Sequence, residues 1–253
     1  VAVVGGTGGL GGLVVAELAR RGDEVVALSR SPGRAALPSG ASHRHADLAT
    51  GEGLREGLDG VEVVVDASNA LKEAQDVLVA GTGRLLRAEA EAGVGHHVAI
   101  SIVGCDRVPI AYYRAKVAQE KAVESGPVPW SLLRATQFHS LLDWAFGRVA
   151  RFRLLPTGAA RLQPVEPAIV ATRLADAARG GPGARLPQVA GPEVATLTEL
   201  AKAWRRARGR TLVPLRIPTI GKVGRAVGDG ALCDPAAAVE GPTFEQWLAG
   251  PGR

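Results

Sequence analysis

Apolar residues in this chain fall into short continuous runs and into stretches of helical spacing, and the two patterns alternate from the first residue. Val1–Val4 is a short β-branched run that ends in glycine. From about Leu10 to Arg21 the apolar positions Leu10, Leu13, Val14 and Leu18 recur at helical spacing, and Gly22 follows as a C-terminal cap. Glu24–Leu28 and Val61–Asp66 read as strands, helical periodicity covers about Glu73–Ala92, and His97–Ile102 is again strand-like. A helix from about Tyr112 to Glu124 leads into a strand over Trp130–Arg134. Strands separated by helices of this length imply right-handed βαβ crossovers and a mostly parallel sheet. The fold class expected is therefore α/β, a doubly wound parallel sheet.

After about residue 135 the pattern loosens. Pro156, Pro164, Pro167, Pro182, Pro187 and Pro192 break the chain into short pieces. Two helices still stand out there, at about Pro167–Arg179 and Thr198–Arg208, the second with Thr196 or Thr198 as its cap and Glu199 in its first turn. The tail from Pro214, rich in Gly and Pro, reads as irregular structure on the substrate side. Residues 1–135 are thus expected to be the core domain. Residues 136–253 would complete the sheet and form a small substrate-side region. No internal repeat interrupts this scheme.

Composition narrows the class further. Of 253 residues, 46% are hydrophobic but only 4% aromatic, as expected for Val, Leu and Ala strands buried on both faces of a parallel sheet. No stretch approaches the roughly 20 uninterrupted apolar residues of a membrane span, and Val1–Val4 is too short for a signal-peptide core. The expectation is a soluble, cytoplasmic protein with no membrane partner. The net charge of +5 is spread along the chain. Its one dense run, Lys202 to Arg210, fits the solvated end of an amphipathic helix, so nucleic acid is not expected as a partner, whereas an anionic cofactor suits the basic balance. The two cysteines, Cys105 and Cys233, have no CxxC spacing and read as reduced, inert thiols. The five histidines, His43, His45, His96, His97 and His139, show no zinc pattern, and no metal is expected.

The chemistry starts at Gly5-Gly6-Thr7-Gly8-Gly9-Leu10-Gly11, which sits between the first strand and the first helix. A backbone that turns tightly there lets a pyrophosphate approach the positive end of the helix. Gly5, Gly8 and Gly11 give GxxGxxG spacing, and with Thr7, Gly9 and Leu10 they form the dinucleotide-binding turn of a Rossmann fold. The residue after the second strand distinguishes NAD from NADP. NAD enzymes commonly place an acid there for the ribose 2′-hydroxyl. This chain has Ser29-Arg30-Ser31, and Arg30 is suited to pair with a 2′-phosphate. NADP(H) is the preferred cofactor on this reading, with NAD(H) the alternative. Asp23 and Glu24 lie at the wrong end of the strand to reverse it.

These residues resemble a known group. GGTGGLG at 5–11, Asp47-Leu48, and Tyr112-Tyr113-Arg114-Ala115-Lys116 look like the short-chain dehydrogenase/reductase superfamily. The stretch Tyr112–His139 is similar to its atypical, NmrA-like branch of NAD(P)-binding proteins. The resemblance covers most of the chain, firmly to about residue 140 and loosely beyond. It implies that Asp47 and Leu48 flank the adenine and that Ala67, Ser68 and Asn69 line the cofactor. It also implies that Ala135 and Thr136 approach the nicotinamide, with Gln137, Phe138 and His139 facing substrate. His139 also fits a helix-capping or core histidine.

Tyr112 and Lys116 match the superfamily's Tyr-x-x-x-Lys pair, with Ser101 as the upstream serine. At i and i+4 the two side chains share a helix face, and an ammonium near a phenol favours the phenolate. Such a pair can move a proton to or from a carbonyl or alcohol oxygen near neutral pH. In the family the lysine also holds the nicotinamide ribose. Tyr113, about 100° further round the helix, cannot share that pairing in the same way.

Two functional classes fit. One is an NADP-dependent oxidoreductase acting on a small carbonyl or alcohol, with a sugar-nucleotide epimerase or dehydratase as its relative. The other is a non-catalytic redox sensor that binds the dinucleotide while Tyr112 merely packs and Lys116 is a surface residue. Intact Tyr112 and Lys116 favour the enzyme. Substrate identity and oligomeric state are left open by these residues.

Overall fold

The computed structural model describes residues 1–33, 36–71 and 73–250. Its strands are β1 (Ala2–Val4), β2 (Val25–Ser29), β3 (Ala41–His45), β4 (Val63–Asp66), β5 (His96–Ile102), β6 (Trp130–Ala135), β7 (Leu154–Thr157), β8 (Arg161–Leu162), β9 (Ala184–Arg185), β10 (Ala195–Thr196) and β11 (Val213–Arg216). Its helices are α1 (Gly9–Arg20), α2 (Leu54–Gly57), α3 (Thr82–Ala92), α4 (Ala111–Glu124), α5 (His139–Ala150), α6 (Pro167–Gly180), α7 (Leu197–Arg208), α8 (Gly221–Gly228) and α9 (Phe244–Leu248). Two compact units result. One comprises Val1–Ser101, Arg114–Leu133 and Val170–Leu186; the other comprises Ile102–Tyr113, Arg134–Ile169 and Pro187–Arg253, of which 251–253 lie outside the described residues. Among the described residues no helix is long and apolar enough to cross a membrane.

Seven strands form the central sheet in the order β3-β2-β1-β4-β5-β6-β9. β1 pairs in parallel with β2 on one side and β4 on the other. This is the α/β, doubly wound Rossmann arrangement expected from the alternating pattern, and its strand order reverses at β1. The burial of each strand follows its position. β1 lies inside the sheet with a strand on each side and every residue of it is buried, whereas β3 (ASHRH) forms an edge and keeps polar side chains partly in solvent. α1 buries Gly11, Val14, Val15 and Leu18, one stripe of its surface. Leu10 and Leu13 fall at or outside the edge of that stripe, and Leu13 is exposed. Ala2, Val4, Leu28, Leu54, Leu58, Val64 and Leu85 belong to the core cluster on this sheet.

The helical run expected over 73–92 is not uniform. Gln75–Gly81 is a π-helical stretch that runs directly into α3. Gly81 sits against Leu48, whose carbonyl oxygen would be 2.9 Å from any Cβ at that position. The widened turn and the missing side chain go together, since the helix passes where an ordinary residue would collide with the loop after β3.

In the second unit the expectation of loose structure needs correcting. α5 is a full helix whose buried positions His139, Leu142, Phe146 and Ala150 recur at helical spacing. The period is blurred in the sequence because Leu141 and Trp144, on the outer face, are also apolar, and because Gly147 interrupts the run. The tail from Pro214 is likewise not irregular throughout. β11 pairs in parallel with β7, α8 follows, and α9 opens on a capping box made by Thr243 and Gln246. Phe244, Trp247 and Leu248 anchor α9 in a cluster with Phe146, Leu200 and Trp204. Aromatic burial therefore fixes a segment whose Gly and Pro content alone suggested none. For α7, Thr196 is the cap, and it exchanges hydrogen bonds with Glu199 in a complete capping box.

Polar residues are also buried in the first unit. His96 meets Ser131 at 2.9 Å, and the same hydroxyl accepts a hydrogen bond from the Gly183 N–H, so one serine ties β5 and β6 to the residue before β9. His97 and Glu89 are both fully buried and lie 2.9 Å apart. Burial raises the Glu89 carboxyl above its ordinary value. For His97 burial works in the opposite direction, but the Glu89 carboxylate and, more distantly, Asp66 outweigh it, and the imidazole is raised too. The folded pair therefore holds protons more tightly than the unfolded chain does.

Stability should accordingly decline as pH rises. The pair's contribution is complete below the ordinary glutamate value of 4.5 and is lost as pH climbs through the raised values of the two groups. Glu89→Leu, which strands His97 in the core, is expected to cost about 3 kcal/mol in urea unfolding near neutral pH. The double variant Glu89→Leu/His97→Phe should recover much of that loss and flatten the pH dependence. Equal slopes for the double variant and the parent would show that the pair does not set it.

Candidate dinucleotide site and the Tyr112–Lys116 helix

In the first unit β1 ends at Val4 and the chain turns at once. Gly5 has φ +71°, a conformation that side chains strongly disfavour, and its N–H donates to the Leu28 carbonyl at 2.8 Å. A Cβ on Gly5 would sit 3.1–3.3 Å from the backbone of Ala67 and Ser68, the first residues after β4. The ends of β1 and β4 thus lie close enough together to leave little room for a side chain at Gly5. Gly6 has no room either, since a Cβ there would lie 2.8 Å from Ala27 and from the Val3 carbonyl oxygen. At Gly11 a Cβ would overlap the Gly5 carbonyl oxygen. Gly9 differs, since nothing lies within 4 Å of where its Cβ would point.

Gly8 caps α1 in an extended conformation with no side-chain hydrogen bond, and α1 has no acidic residue in its first turn. The helical ladder begins with Gly12 N–H donating to Gly8 O at 2.8 Å. The N–H groups of Gly9, Leu10 and Gly11 precede it and have no intrahelical acceptor. An uncapped helix start of this kind, lined by residues without side chains, is suited to an anion such as a pyrophosphate.

The loop after β2 is tied to this turn. Thr7 Oγ1 donates to Ser29 Oγ at 3.0 Å, and Ser29 Oγ in turn donates to the Ser31 carbonyl at 2.6 Å. His43 Nε2 lies 3.0 Å from the same serine hydroxyl, and His45 Nδ1 donates to the Arg30 carbonyl at 3.2 Å. The sequence pattern gives neither histidine a part in the site. Both face β2 because β3 pairs with it in parallel, with Ser29 opposite His45. The backbone of residues 29–31 is held, while the Arg30 side chain is exposed and has no carboxylate partner among the described residues.

Asp47 has local partners, whereas the Leu48 carbonyl accepts from Arg84 Nη1 at 3.1 Å. The Asp47 carboxylate accepts the Ala49 N–H at 2.8 Å, closing its own turn, and buried Leu48 supports the π-helical stretch. Ser68 is buried, and its N–H donates to Asp66 at 2.9 Å, while Asn69 is exposed.

Lys116 is not a surface residue. It is 3% exposed, and its Nζ donates to the Ile100 carbonyl at 2.8 Å and to Gln119 Oε1 at 2.6 Å. Gln119 Nε2 then donates to Asp66 Oδ2 and approaches Thr82 Oγ1, each at 3.1 Å. This buried chain links the ammonium to the carboxylate at the end of β4. The sequence does not mark Asp66, Thr82 or Gln119 as site residues. The one available signal is the glutamine three positions after Lys116, on the same helix face. Ser101 is buried near the end of β5.

The second unit holds the remaining candidates. Tyr112 opens the first turn of α4, half-buried, with its ring 5.7 Å from that of Tyr113. Burial raises the Tyr113 hydroxyl above its ordinary value, and Cys105 adds to the rise, which makes Tyr113 a poor proton donor. Ala135 bridges to Val189, and Thr136 Oγ1 accepts the Gly191 N–H at 3.2 Å. Gln137 donates to the Leu232 carbonyl at 2.9 Å and accepts from Gln163 N–H at 3.1 Å, and Phe138 bridges to Val165. His139 is fully buried, donates from Nε2 to the Pro242 carbonyl at 3.0 Å, and packs beside Phe244 and Trp247. Cys105 and Cys233 are buried and form no disulfide with each other. Among the described residues no group of three or more His, Cys, Asp or Glu is placed to hold a metal.

Residues 5–151 match a protein-family model described as NAD(P)H-binding. The whole chain superposes on solved structures of low sequence identity. The NADPH-dependent quinone oxidoreductase QOR2 of Escherichia coli, complexed with NADPH, gives a TM-score of 0.78 at 19% identity, with 98% of each chain covered. The Bordetella bronchiseptica enzyme WbmH, in complex with NAD+, gives 0.79 at 17% identity, covering 98% of this chain and 95% of that one. The triphenylmethane reductase of Citrobacter sp. gives 0.73 at 19% identity, covering 98% and 93%. No curated protein matches the chain.

The glycines allow a direct check of the turn. Gly11→Ala should lose 2 kcal/mol or more, roughly, because backbone has to move. Gly9→Ala should leave the melting temperature unchanged or slightly raised, since a helical alanine replaces a glycine in open space. Comparable melting curves for the two variants would contradict the packing described for Gly11.

Proposed function

The chain belongs to the NAD(P)H-binding family, and we propose that it is an oxidoreductase that moves a hydride between NADP(H) and a small carbonyl or alcohol substrate. The observation that carries this reading is Lys116, a buried cation one helical turn from Tyr112 on α4, held by Ile100 and Gln119. An ammonium is seldom buried without a task or a partner. Held by those two partners, the Lys116 ammonium lies on the helix that carries Tyr112, which suits it to a phenolate as well as to a ribose.

On this reading the N–H groups of Gly9, Leu10 and Gly11 hold the pyrophosphate at α1, with Gly5, Thr7 and Gly8 shaping the turn. Arg30, extending from a loop fixed by Ser29, pairs with the 2′-phosphate. Asp47 and Leu48 border the adenine, Ala67, Ser68 and Asn69 line the cofactor after β4, and Ala135 and Thr136 border the nicotinamide. When bound, the nicotinamide supplies or takes the hydride. Tyr112 donates its phenolic proton to the carbonyl oxygen, or takes the proton from the alcohol in reverse. The Ser101 hydroxyl donates a hydrogen bond to the same oxygen. Lys116 stabilises the phenolate and holds the ribose. Gln137 and Phe138 face the substrate, while His139 shapes that region from the core.

Calorimetric titration with NADPH and NADH tests the cofactor half. NADPH should bind more tightly, and Arg30→Ala should weaken it about tenfold, or about 1.4 kcal/mol. Tighter binding of NADH would overturn the NADP assignment. The catalytic half is tested by NADPH oxidation across a panel of small carbonyl compounds. Tyr112→Phe should lower turnover by about 100-fold or more with NADPH affinity unchanged. Tight NADPH binding without turnover of any panel member would favour the redox-sensor reading instead.

A further inference from the structure

Within the second unit, α5 and the end of α7 enclose an open recess of about 520 Å³, and none of its residues takes part in the reading above. It is lined by Trp144, Gly147, Arg148, Arg151, Arg208 and Arg210, with Asp143 and Trp204 beneath. Four arginines and a single carboxylate thus share its lining. That carboxylate is already engaged. Asp143 Oδ1 accepts from Trp204 Nε1 at 2.6 Å and from Arg208 Nη2 at 2.7 Å, which holds the Arg208 guanidinium in place. Arg148, Arg151 and Arg210 have no ion pair among the described residues.

The other features of the recess match this charge. Trp144 is 55% exposed even though the Arg148 guanidinium lies over its ring at 5.2 Å. Burial would be the ordinary fate of so large an apolar ring. Gly147 sits in the middle of α5, where glycine weakens a helix, and nothing lies within 4 Å of where its Cβ would point. A residue without a side chain thus opens the helix backbone between an exposed indole and the arginines. Placement of basic residues at the end of α7 accounts for part of the cluster, since a helix C-terminus attracts cations. It does not account for Arg148 and Arg151, which come from α5 and the residue after it, or for the exposed tryptophan.

We propose that this recess is a second ligand site that takes a free nucleotide, its ring stacked on Trp144 and its phosphates held by Arg148, Arg151, Arg208 and Arg210. The volume falls in the range of small-molecule pockets. Aromatic stacking beside arginine is the chemistry by which proteins hold bases without reading them. A guanidinium pairs with phosphate oxygens in a fork geometry, and that of Arg208 is already held in place by Asp143.

The test is calorimetry with ATP, and with inorganic tripolyphosphate as the ring-free probe, on protein held in excess NADP+. ATP should bind at one site, and more tightly than tripolyphosphate by roughly fivefold or more. Trp144→Ala should remove that difference. Gly147→Leu, which fills the recess without changing charge, and Arg148→Gln/Arg151→Gln, which alters only exposed side chains, should each weaken ATP by about tenfold or more. The arginine pair keeps the test informative if the leucine variant folds poorly. ATP binding that is absent, or unaffected by the arginine changes, overturns the proposal. NADPH binding measured on the same variants should be unchanged, so a failure here is distinct from a failure of the dinucleotide reading.

Discussion

The structure depends on what the backbone must do in the few residues after β1. Parallel strands require the chain to leave the sheet, reverse and return through a helix. At the centre of the sheet there is no space for side chains in that reversal. Gly5 turns with φ +71°, and at Gly5, Gly6 and Gly11 any Cβ would crowd other backbone or Ala27. Close approach of this kind brings the start of α1 to the reversal point of the sheet with its first N–H groups uncapped. The fold therefore needs the glycines first, and the anion-binding character of the helix start follows from them. Glycines 5, 6 and 11 serve the turn itself. Gly9 does not, since nothing lies within 4 Å of where its Cβ would point, and packing gives no reason for a glycine there.

A second constraint is the burial of charge. Lys116, Gln119, Asp66 and Thr82 form one hydrogen-bonded chain, and His97 with Glu89 forms another polar pair beside the same strands. Buried polar groups of this kind cost stability unless every partner is in place. The chain from Lys116 to Asp66 connects the residue proposed to hold the ribose with the end of β4, adjacent to the segment proposed to line the cofactor. A lysine held by a carbonyl, an amide and, through the amide, a carboxylate has little rotamer freedom left to lose when it meets a ligand. Such preorganisation is a physical advantage for a cofactor contact.

How much of this is legible in the sequence depends on whether a residue's task is local. The strand–turn–helix at residues 1–20 is legible because glycine spacing, the apolar run before it and the helical period after it all agree. The parallel sheet follows from the alternation of elements; the start of α7 is legible too, but its cap is left between Thr196 and Thr198 until the capping box with Glu199 decides for Thr196. α5 is not legible, because its outer face carries Leu141 and Trp144 and so hides the buried stripe of Leu142, Phe146 and Ala150. The tail is not legible because Phe244 and Trp247 act over long range, filling a cluster with Leu142, Phe146, Leu200 and Trp204, all distant in sequence. Within the candidate site, Gln119 and His43 are invisible for the same reason. Their importance lies in partners that only the folded sheet brings near, Asp66 for one and Ser29 for the other.

The loop after β2 shows how these scales combine into specificity. Sequence alone marks Arg30 as a cation where an acid would serve a 2′-hydroxyl. The structure adds a network of four hydrogen bonds among Thr7, Ser29, His43, His45 and the loop, each between 2.6 and 3.2 Å, two of which end on the carbonyls of Arg30 and Ser31. An arginine on a free loop loses backbone and side-chain entropy together when it captures a phosphate; on this loop much of the backbone cost is already met in folding. The two histidines that meet it come from the edge strand β3, the least buried of the first unit's long strands and the one freest to carry polar residues. An edge position thus lets the same strand finish the sheet and brace the residue proposed to distinguish the two cofactors.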